Sequence, residues 1–205
     1  MMNDDTTYPH FVPLMWQGDG SNPSPNYSGR GNMYGVGGIP HAQWGGNQQV
    51  VGGSPTIINQ YTAKYNSIAG NPSPIEIDMA FESNGQGELL VSANVEMSGN
   101  ITTTNNKILF LLNYDFSPYQ TPDYTSSVVA YTDQTFDLTS SGQTGEFEAT
   151  FTFNPDWEVP QLNAIVIVQT FSGNHEIHQA AISGFTGMYP MFTTNINQGP
   201  PCLGV

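Results

Sequence analysis

Residues 75–97 read IEIDMAFESNGQGELLVSANVEM, and this stretch decides the fold. In residues 75–81 nearly every second side chain is apolar, and residues 89–97 repeat the same period of two. Side chains along a β-strand alternate between two faces, so both segments are predicted to be strands. Asn84-Gly85 between them is a strong hairpin turn signal. The stretch therefore predicts an antiparallel β-hairpin.

Further short strands follow this hairpin. Residues 107–114, KILFLLNY, form a nearly continuous apolar run, which is typical of a central strand covered on both faces. Such a succession of short strands separated by turn signals is typical of a β-sandwich. The other predicted strands are residues 126–131, 134–138, 145–153, 162–171 and 175–183.

The N-terminal third, residues 8–69, is rich in glycine and proline and has a different pattern. Residues 10–16 are predicted to form a short strand, and residues 18–28 a loop. Residues 41–51 read as a hairpin that turns at Gly45-Gly46-Asn47. Ser54-Pro55 then begins a predicted helix that ends at Ile68, because serine caps a helix and proline fits its first turn.

The charge balance excludes several classes of partner. The chain has 17 acidic and three basic residues, giving a formal net charge of -14. Nucleic acids and anionic membrane surfaces are bound through lysine and arginine, so neither is an expected partner. Charged residues make up 10% of the chain, against roughly 25% in ordinary soluble domains. A surface of neutral polar side chains favours a secreted or cell-surface β protein, with its signal removed or encoded upstream.

No stretch is long and apolar enough for a membrane-spanning helix. The single cysteine, Cys202, has no partner for an internal disulfide. It is either an intermolecular disulfide partner or a free thiol, and its role stays open.

Residues 34–40, YGVGGIP, resemble the approach to the cis-proline of the thioredoxin superfamily. The resemblance implies that Pro40 is the cis-proline, that residues 41–51 are the last hairpin of that fold, and that residues 54–68 are its final helix. In that fold the cis-proline exposes a pairing edge beside the active site.

The order of parts resembles a particular family, the one related to the twenty-eight-kilodalton outer membrane protein of Bacteroidetes-type bacteria. The similar segments are Leu162–Gln169 (LNAIVIVQ), Glu176–Ala181 (EIHQAA) and the helix pattern Tyr61-x-x-x-Tyr65-Asn66. The resemblance extends over residues 8–185. It implies a mainly β chain in which a partial thioredoxin-like α/β segment precedes an antiparallel β-sandwich.

This resemblance, with the strand pattern, divides the chain into three parts. Residues 1–70 are the truncated thioredoxin-like segment, residues 71–184 the sandwich, and residues 185–205 a tail or linker. The Cys-x-x-Cys motif of the family is absent, and thiol–disulfide exchange needs a reactive thiolate. We therefore expect no enzyme activity and no catalytic or cofactor-binding residue.

Three functions remain open. The first is a structural or interaction protein that assembles through an exposed strand edge, because an incomplete sheet leaves such an edge unpaired. That edge is expected to pair with another chain or to be covered by residues 185–205. The second is the C-terminal fragment of a thioredoxin-like oxidoreductase. The third is a carbohydrate-binding sandwich.

The candidate binding loop is residues 113–124, NYDFSPYQTPDY. Clustered aromatic side chains in a loop suit protein or glycan recognition. The alternative is that these aromatic residues cap the end of the sandwich. The residues proposed for binding are Tyr114, Asp115, Tyr119, Asp123 and Tyr124.

Metal sites and modification sites give weaker signals. His175 and His178 would face opposite sides of a strand, so they are not expected to share a metal ion, and His41 has no nucleophile beside it. The sequons at Asn26 and Asn100 are possible glycosylation sites. Two oxygen-rich loops leave Ca²⁺ binding open, although neither has the spacing of an EF-hand. They are Asp4-Asp5 and Asp19 with Asn22.

Overall fold

The computed structural model describes residues 6–18, 23–115 and 126–185, and antiparallel sheets dominate it. This confirms the mainly β class. The helices are α1 (Tyr27–Met33) and α2 (Ile57–Ile68), with a 3-10 turn at Val159–Gln161. The strands are β1 (His41–Trp44), β2 (Gln48–Val51), β3 (Ile75–Ser83), β4 (Glu88–Met97), β5 (Asn106–Tyr114), β6 (Ser127–Thr135), β7 (Thr144–Thr152), β8 (Leu162–Thr170) and β9 (Ile177–Gly184).

Seven of these strands form a two-layer sandwich. One sheet has the order β3-β4-β7 and the other β6-β5-β8-β9, and every pairing is antiparallel. The inner faces share one core in which Phe81, Val91, Phe110 and Val166 are fully buried. The hairpin read from residues 75–97 is β3–β4, as its period of two predicted.

Side-chain hydrogen bonds close the sandwich along both long sides. Where β9 lies beside β3, the Gln179 Nε2 donates to the Ile75 carbonyl over 2.9 Å, and the Ser73 Oγ donates to the His178 carbonyl over 2.8 Å. On the opposite side the Gln134 Nε2 donates to the Glu148 carbonyl over 2.5 Å. The two sheets are therefore joined by polar groups as well as by the core.

The outer face of the four-stranded sheet is also buried. Its side chains, including Leu109, Leu111 and Ile165, are fully buried and pack against Val12, Leu14 and Trp16. We call residues 8–17 the N-terminal strap. This cover explains why β5 is apolar on both faces, as its sequence predicted.

The predicted strand at residues 10–16 is wrong. Within the strap only Met15 makes a β-bridge, in parallel with Ser127. The Met15 N–H donates to the Ser126 carbonyl over 2.9 Å, and the Val128 N–H donates to the Met15 carbonyl over 3.0 Å. Pro13 has no N–H to extend this ladder, so the strap crosses the sheet as irregular chain.

Two other predictions need correction. The loop predicted to extend to residue 28 ends earlier, because α1 begins at Tyr27. The predicted separate strands at residues 126–131 and 134–138 are also wrong: one strand, β6, runs from Ser127 to Thr135, and residues 136–138 lie outside it. The polar Asp133 does not interrupt β6, because Lys107 and Tyr131 donate hydrogen bonds to its carboxylate.

The β1–β2 hairpin packs on α2 as a smaller unit. Trp44, Val50 and Tyr65 are its buried core. The strap extends to it, since the Phe11 ring stacks on Trp44 with centroids 5.5 Å apart. The hairpin has the bounds that its sequence predicted, whereas α2 begins at Ile57 and not at Ser54. No helix in the described ranges is long and apolar enough to cross a membrane.

Candidate functional site

The β1–β2 hairpin has one covered face and one open face. Ala42 pairs with Val50 on the face toward α2, where Val50 is 5% exposed. His41 pairs with Val51 on the other face, where Val51 is 56% exposed. Because side chains alternate along a strand, this second face includes the Gln43–Gln49 pair as well. We call it the open face.

An exposed apolar patch adjoins the open face. The Ile39–Pro40 peptide bond is cis, the isomer that the sequence predicted. Ile39 is 67% exposed, and Pro40 is exposed beside it. The Gly52 N–H donates to the Pro40 carbonyl over 2.8 Å, which places this turn next to Val51. We call Ile39, Pro40 and Val51 the cis-proline patch.

The register also fixes which backbone groups are free at the edges. The bond between Gly52 and Pro40 makes them a hydrogen-bonded pair, and such pairs alternate with non-bonded pairs in antiparallel strands. The His41–Val51 pair is therefore non-bonded, so the Val51 N–H and carbonyl point away from β1. No third strand pairs with β1 or β2 in the part of the chain that the structure describes.

An open cleft of about 170 Å³ lies where the hairpin meets the sandwich. It is bounded by the end of α1, the turn of the hairpin and the turn between β8 and β9. We call it the amide pocket. It is lined by Met33, Tyr34, Gln43, Gly46, Asn47, Gln48, Gln49, Asn174 and His175.

A buried glutamine holds two walls of the amide pocket. The Gln169 side chain is fully buried, and its Nε2 donates to the Tyr34 Oη over 2.6 Å and to the His175 carbonyl over 2.7 Å. Gly46, with a φ of 79°, lies against the same carbonyl: a Cβ here would stand 2.0 Å from it. Only glycine fits that close approach, so the hairpin turn is fixed on the β8–β9 turn.

Arg30 lies buried among aromatic rings behind the pocket. It is 4% exposed, and its Cζ stands 4.9 Å from the centroid of Trp16, 5.0 Å from that of Tyr34 and 5.6 Å from that of Phe171. Its Nη2 donates to the Tyr34 Oη over 2.9 Å. A guanidinium desolvated against aromatic faces is a stabilising contact. Arg30 therefore fastens α1 and the strap to the sandwich.

A second cation supports the same interface. Lys107 forms an ion pair with Asp133, and its Nζ lies 4.9 Å from the centroid of Phe171. Burial would raise the pKa of Asp133, but hydrogen bonds from Lys107 and Tyr131 and the charges of Lys107 and Arg30 lower it overall. Burial, with the hydrogen bond to Asp133 and the charge of Asp133, raises the pKa of Tyr131.

The sequence predictions missed this cluster. Arg30 and Lys107 are two of only three basic residues in the chain, and each lies beside aromatic residues in space. The rarity of basic residues was the available signal, because a chain with so few cations is expected to place them where they contribute most.

The prediction of a binding loop is wrong for Tyr114. This side chain is 2% exposed in the core, where its Oη accepts a hydrogen bond from the Glu158 N–H over 3.0 Å. It therefore caps the sandwich core, as the alternative prediction had it. The Asp115 Oδ1 accepts a hydrogen bond from the Ser126 N–H over 2.8 Å. The other residues of this prediction lie outside the described ranges, namely Tyr119, Asp123 and Tyr124.

The two sequon asparagines are both exposed. Asn26 has a left-handed φ of 56° immediately before α1. Asn100 lies in the connection between β4 and β5, and its Oδ1 accepts a hydrogen bond from the Ser141 N–H over 2.8 Å. Glycosylation of either residue stays a prediction.

The two histidines considered for a metal site have separate surroundings. The His178 Nε2 lies 3.0 Å from the Thr103 Oγ1 and 2.9 Å from the Thr170 Oγ1, and burial lowers the pKa of His178. His175 lines the amide pocket. The described residues contain no metal-ligating group of three or more His, Cys, Asp or Glu side chains. Several candidates lie outside the described ranges: Asp4, Asp5, Asp19, Asn22 and Cys202.

Comparison with known proteins gives similarity in structure but not in sequence. No protein family and no curated protein matches the sequence. HBP35 of Porphyromonas gingivalis is similar with a TM-score of 0.58 at 10% identity, over 89% of this chain and 60% of that one. This chain thus spans 60% of the length of the HBP35 structure. At such identity the likeness shows the fold alone.

Two further structures are similar over shorter stretches. A domain of the outer membrane lipoprotein Omp28 from Porphyromonas gingivalis has a TM-score of 0.41 at 10% identity, over 57% of this chain and 92% of that one. A β-glucosidase from Kluyveromyces marxianus, in complex with glucose, has a TM-score of 0.31 at 11% identity, over 55% of this chain and 14% of that one. The fold resemblance stated from the sequence is confirmed, and HBP35 carries that conclusion.

Proposed function

We propose that this chain is a non-catalytic, secreted or cell-surface bacterial protein that assembles by strand pairing at the free edge of β2. Three findings support a secreted or cell-surface location. The fold is shared with HBP35 of a bacterium, the order of parts along the chain resembles that of a family of outer membrane proteins, and charged residues make up only 10% of the chain.

The observation that carries the proposal is the free edge beside the cis-proline patch. β2 presents the outward N–H and carbonyl of Val51 to solvent, and Ile39 and Val51 are both largely exposed next to it. An exposed strand edge with apolar side chains is a template for pairing with another chain. A second copy can pair there about a two-fold axis, since the same edge occurs on both.

Charge makes this assembly dependent on salt. Each copy carries a formal charge of -14, so two copies repel one another at low ionic strength. Salt screens charges beyond a Debye length of about 8 Å at physiological ionic strength. We therefore expect self-association to strengthen as salt is added.

The test is sedimentation velocity of the full chain over a range of concentration and salt. Val51→Pro removes the outward N–H and leaves the bonds between β1 and β2 intact, because the Val51 N–H takes no part in them. Val51→Thr keeps that N–H and is the matched control. We expect the wild type and Val51→Thr to associate and Val51→Pro to remain monomeric. A wild type that is monomeric at high concentration and high salt contradicts the proposal.

The cis-proline favours one alternative, the C-terminal part of a thioredoxin-like oxidoreductase. The chain has one cysteine, and a disulfide oxidoreductase of this kind needs a pair. We therefore expect no acceleration of insulin reduction by dithiothreitol. Acceleration above the uncatalysed rate, or an in-frame Cys-x-x-Cys upstream of Met1, would favour the alternative.

A further inference from the structure

The amide pocket is lined by neutral hydrogen-bonding groups. Five of its lining residues carry carboxamides, and no lining residue carries a full charge as Asp, Glu, Lys or Arg. Each carboxamide offers both donors and an acceptor. We propose that the amide pocket binds a neutral sugar ring. The pocket uses the Gln49 side chain of β2 and not the backbone edge at Val51, and the inference goes beyond the proposed function.

The size of the pocket suits one ring. Its volume of about 170 Å³ is well above the roughly 15 Å³ that a single water molecule needs by the same measure. A pyranose ring with its hydroxyl groups needs a space of this order. Longer glycans would extend out of the open side of the cavity.

Several groups in the pocket are free to bind a ligand. Asn47 and Gln49 have side-chain amides without a hydrogen-bond partner among the described residues. The Gln43 Nε2 lies 2.8 Å from the His41 Nε2, which leaves the Gln43 Oε1 available. Hydroxyl groups of a sugar both donate and accept, so they match free amides better than a purely anionic or cationic ligand does.

Tyr34 contributes a polarised hydroxyl. Its Oη accepts hydrogen bonds from Gln169 and from Arg30, and these two bonds occupy its lone pairs. The hydroxyl proton has no acceptor in the described part of the chain. The Tyr34 ring also packs against His175 at right angles, with centroids 5.9 Å apart. These contacts hold the Tyr34 wall of the pocket in place.

Two buried polar atoms lie behind the lining of the pocket. The Gln169 Oε1 and the His175 Nδ1 are buried and have no partner among the described groups. Buried unsatisfied polar atoms are uncommon in native proteins. Both atoms are shielded by the protein, so the ligand contacts come from the free amides of the lining and not from these atoms.

The experiment is a titration followed by ¹H–¹⁵N NMR on the full chain. The probes are the methyl glycosides of glucose, galactose, mannose and N-acetylglucosamine. A ligand of this size at ordinary ligand efficiency binds with a Kd of about 1 mM. We expect at least one glycoside to shift the amide signals of Gln43, Asn47 and Gln49 with saturation near that concentration.

Variants separate the site from non-specific binding. Gln43→Ala with Gln49→Ala removes two free amides and should weaken binding about tenfold or more. Gln60→Ala with Gln86→Ala removes two exposed amides elsewhere and should leave binding unchanged. Unchanged dispersion of the other signals checks that each variant is folded.

Two outcomes overturn the proposal. One is the absence of saturable shifts at the pocket with every glycoside, at concentrations far above about 1 mM. The other is saturation by N-acetylglycinamide but by no glycoside, since the pocket would then recognise a peptide backbone. Val51→Pro should leave glycoside binding intact, so failure of the assembly proposal does not affect this test.

Discussion

The two sheets of the sandwich share one core, yet their outer faces differ completely. The outer face of β6-β5-β8-β9 is apolar and lies under the N-terminal strap. The outer face of β3-β4-β7 is open and carries no basic residue. Its exposed carboxylates are Glu76, Asp78, Glu82, Glu88, Glu96, Glu146 and Glu148.

The difference shows that the apolar pattern of a strand depends on whether protein or water covers its faces, and not on the position of the strand in the sandwich. β4 and β5 are both central strands, but only β5 is apolar on both faces, because the strap packs on it. β4 alternates because water covers one of its faces.

The largest effect is expected from leucine on the covered outer face. Leu111 of β5 is fully buried beneath the strap, so Leu111→Ala should lower the free energy of unfolding by about 2–5 kcal/mol. Leu90, on the outer face of β4, is only partly buried. Leu90→Ala should cost about 1 kcal/mol or less. Urea denaturation of both variants measures the difference, and equal losses would show that the strap does not cover β5.

A smaller effect is expected from the strap itself. Trp16 packs on the covered face, and its Nε1 donates to the Pro25 carbonyl over 3.0 Å. Trp16→Ala should lower stability by about 2–3 kcal/mol, since the side chain is partly exposed. It should also speed proteolysis of residues 8–17. Trp16→Phe keeps a ring over the sheet and should recover about half of the loss. If proteolysis cleaved residues 8–17 of Trp16→Ala no faster than those of the wild type, the prediction would be contradicted.

The ion pair under the covered side should give a pH-dependent effect. The pKa of Asp133 is lowered in the folded protein, so its contribution is present above the ordinary pKa of aspartate, about 4, and is lost as the pH falls further. Asp133→Asn should cost about 1–3 kcal/mol at neutral pH. The deficit should shrink as the pH falls below about 4. A deficit independent of pH, in urea titrations at several pH values, would assign the loss to packing.

The smallest effect is expected on the open acidic face, and its sign is opposite. Glu76 and Glu96 are directly opposite in the register, and like charges at such a position are destabilising. Glu96→Gln should raise stability by about 0.2–1 kcal/mol at low salt, and the gain should vanish at high salt. Glu82, which faces Leu90, is the matched control. An equal gain from Glu82→Gln would indicate a general charge effect instead of a pairwise one.

Much of the fold could be predicted because its signals are local. The turn at Asn84-Gly85, the alternation of β4 and the apolar run of β5 each depend on neighbours in sequence. The candidate site was harder to predict. Tyr34 and Gln169 form the amide pocket only because the hairpin turn docks on the β8–β9 turn, and Tyr114 is buried although its neighbours are polar.

The alternation of β3 and β4 and the apolar run of β5 follow from the sequence alone, because the spacing of apolar side chains is a local property of an extended chain. What covers each face depends on contacts between segments that are distant in sequence. The strap reaches β6 at Met15 and Ser127, and Arg30 packs against rings in the strap, directly after α1 and directly after β8. Such pairings join distant parts of the chain, and no periodicity in the sequence records them.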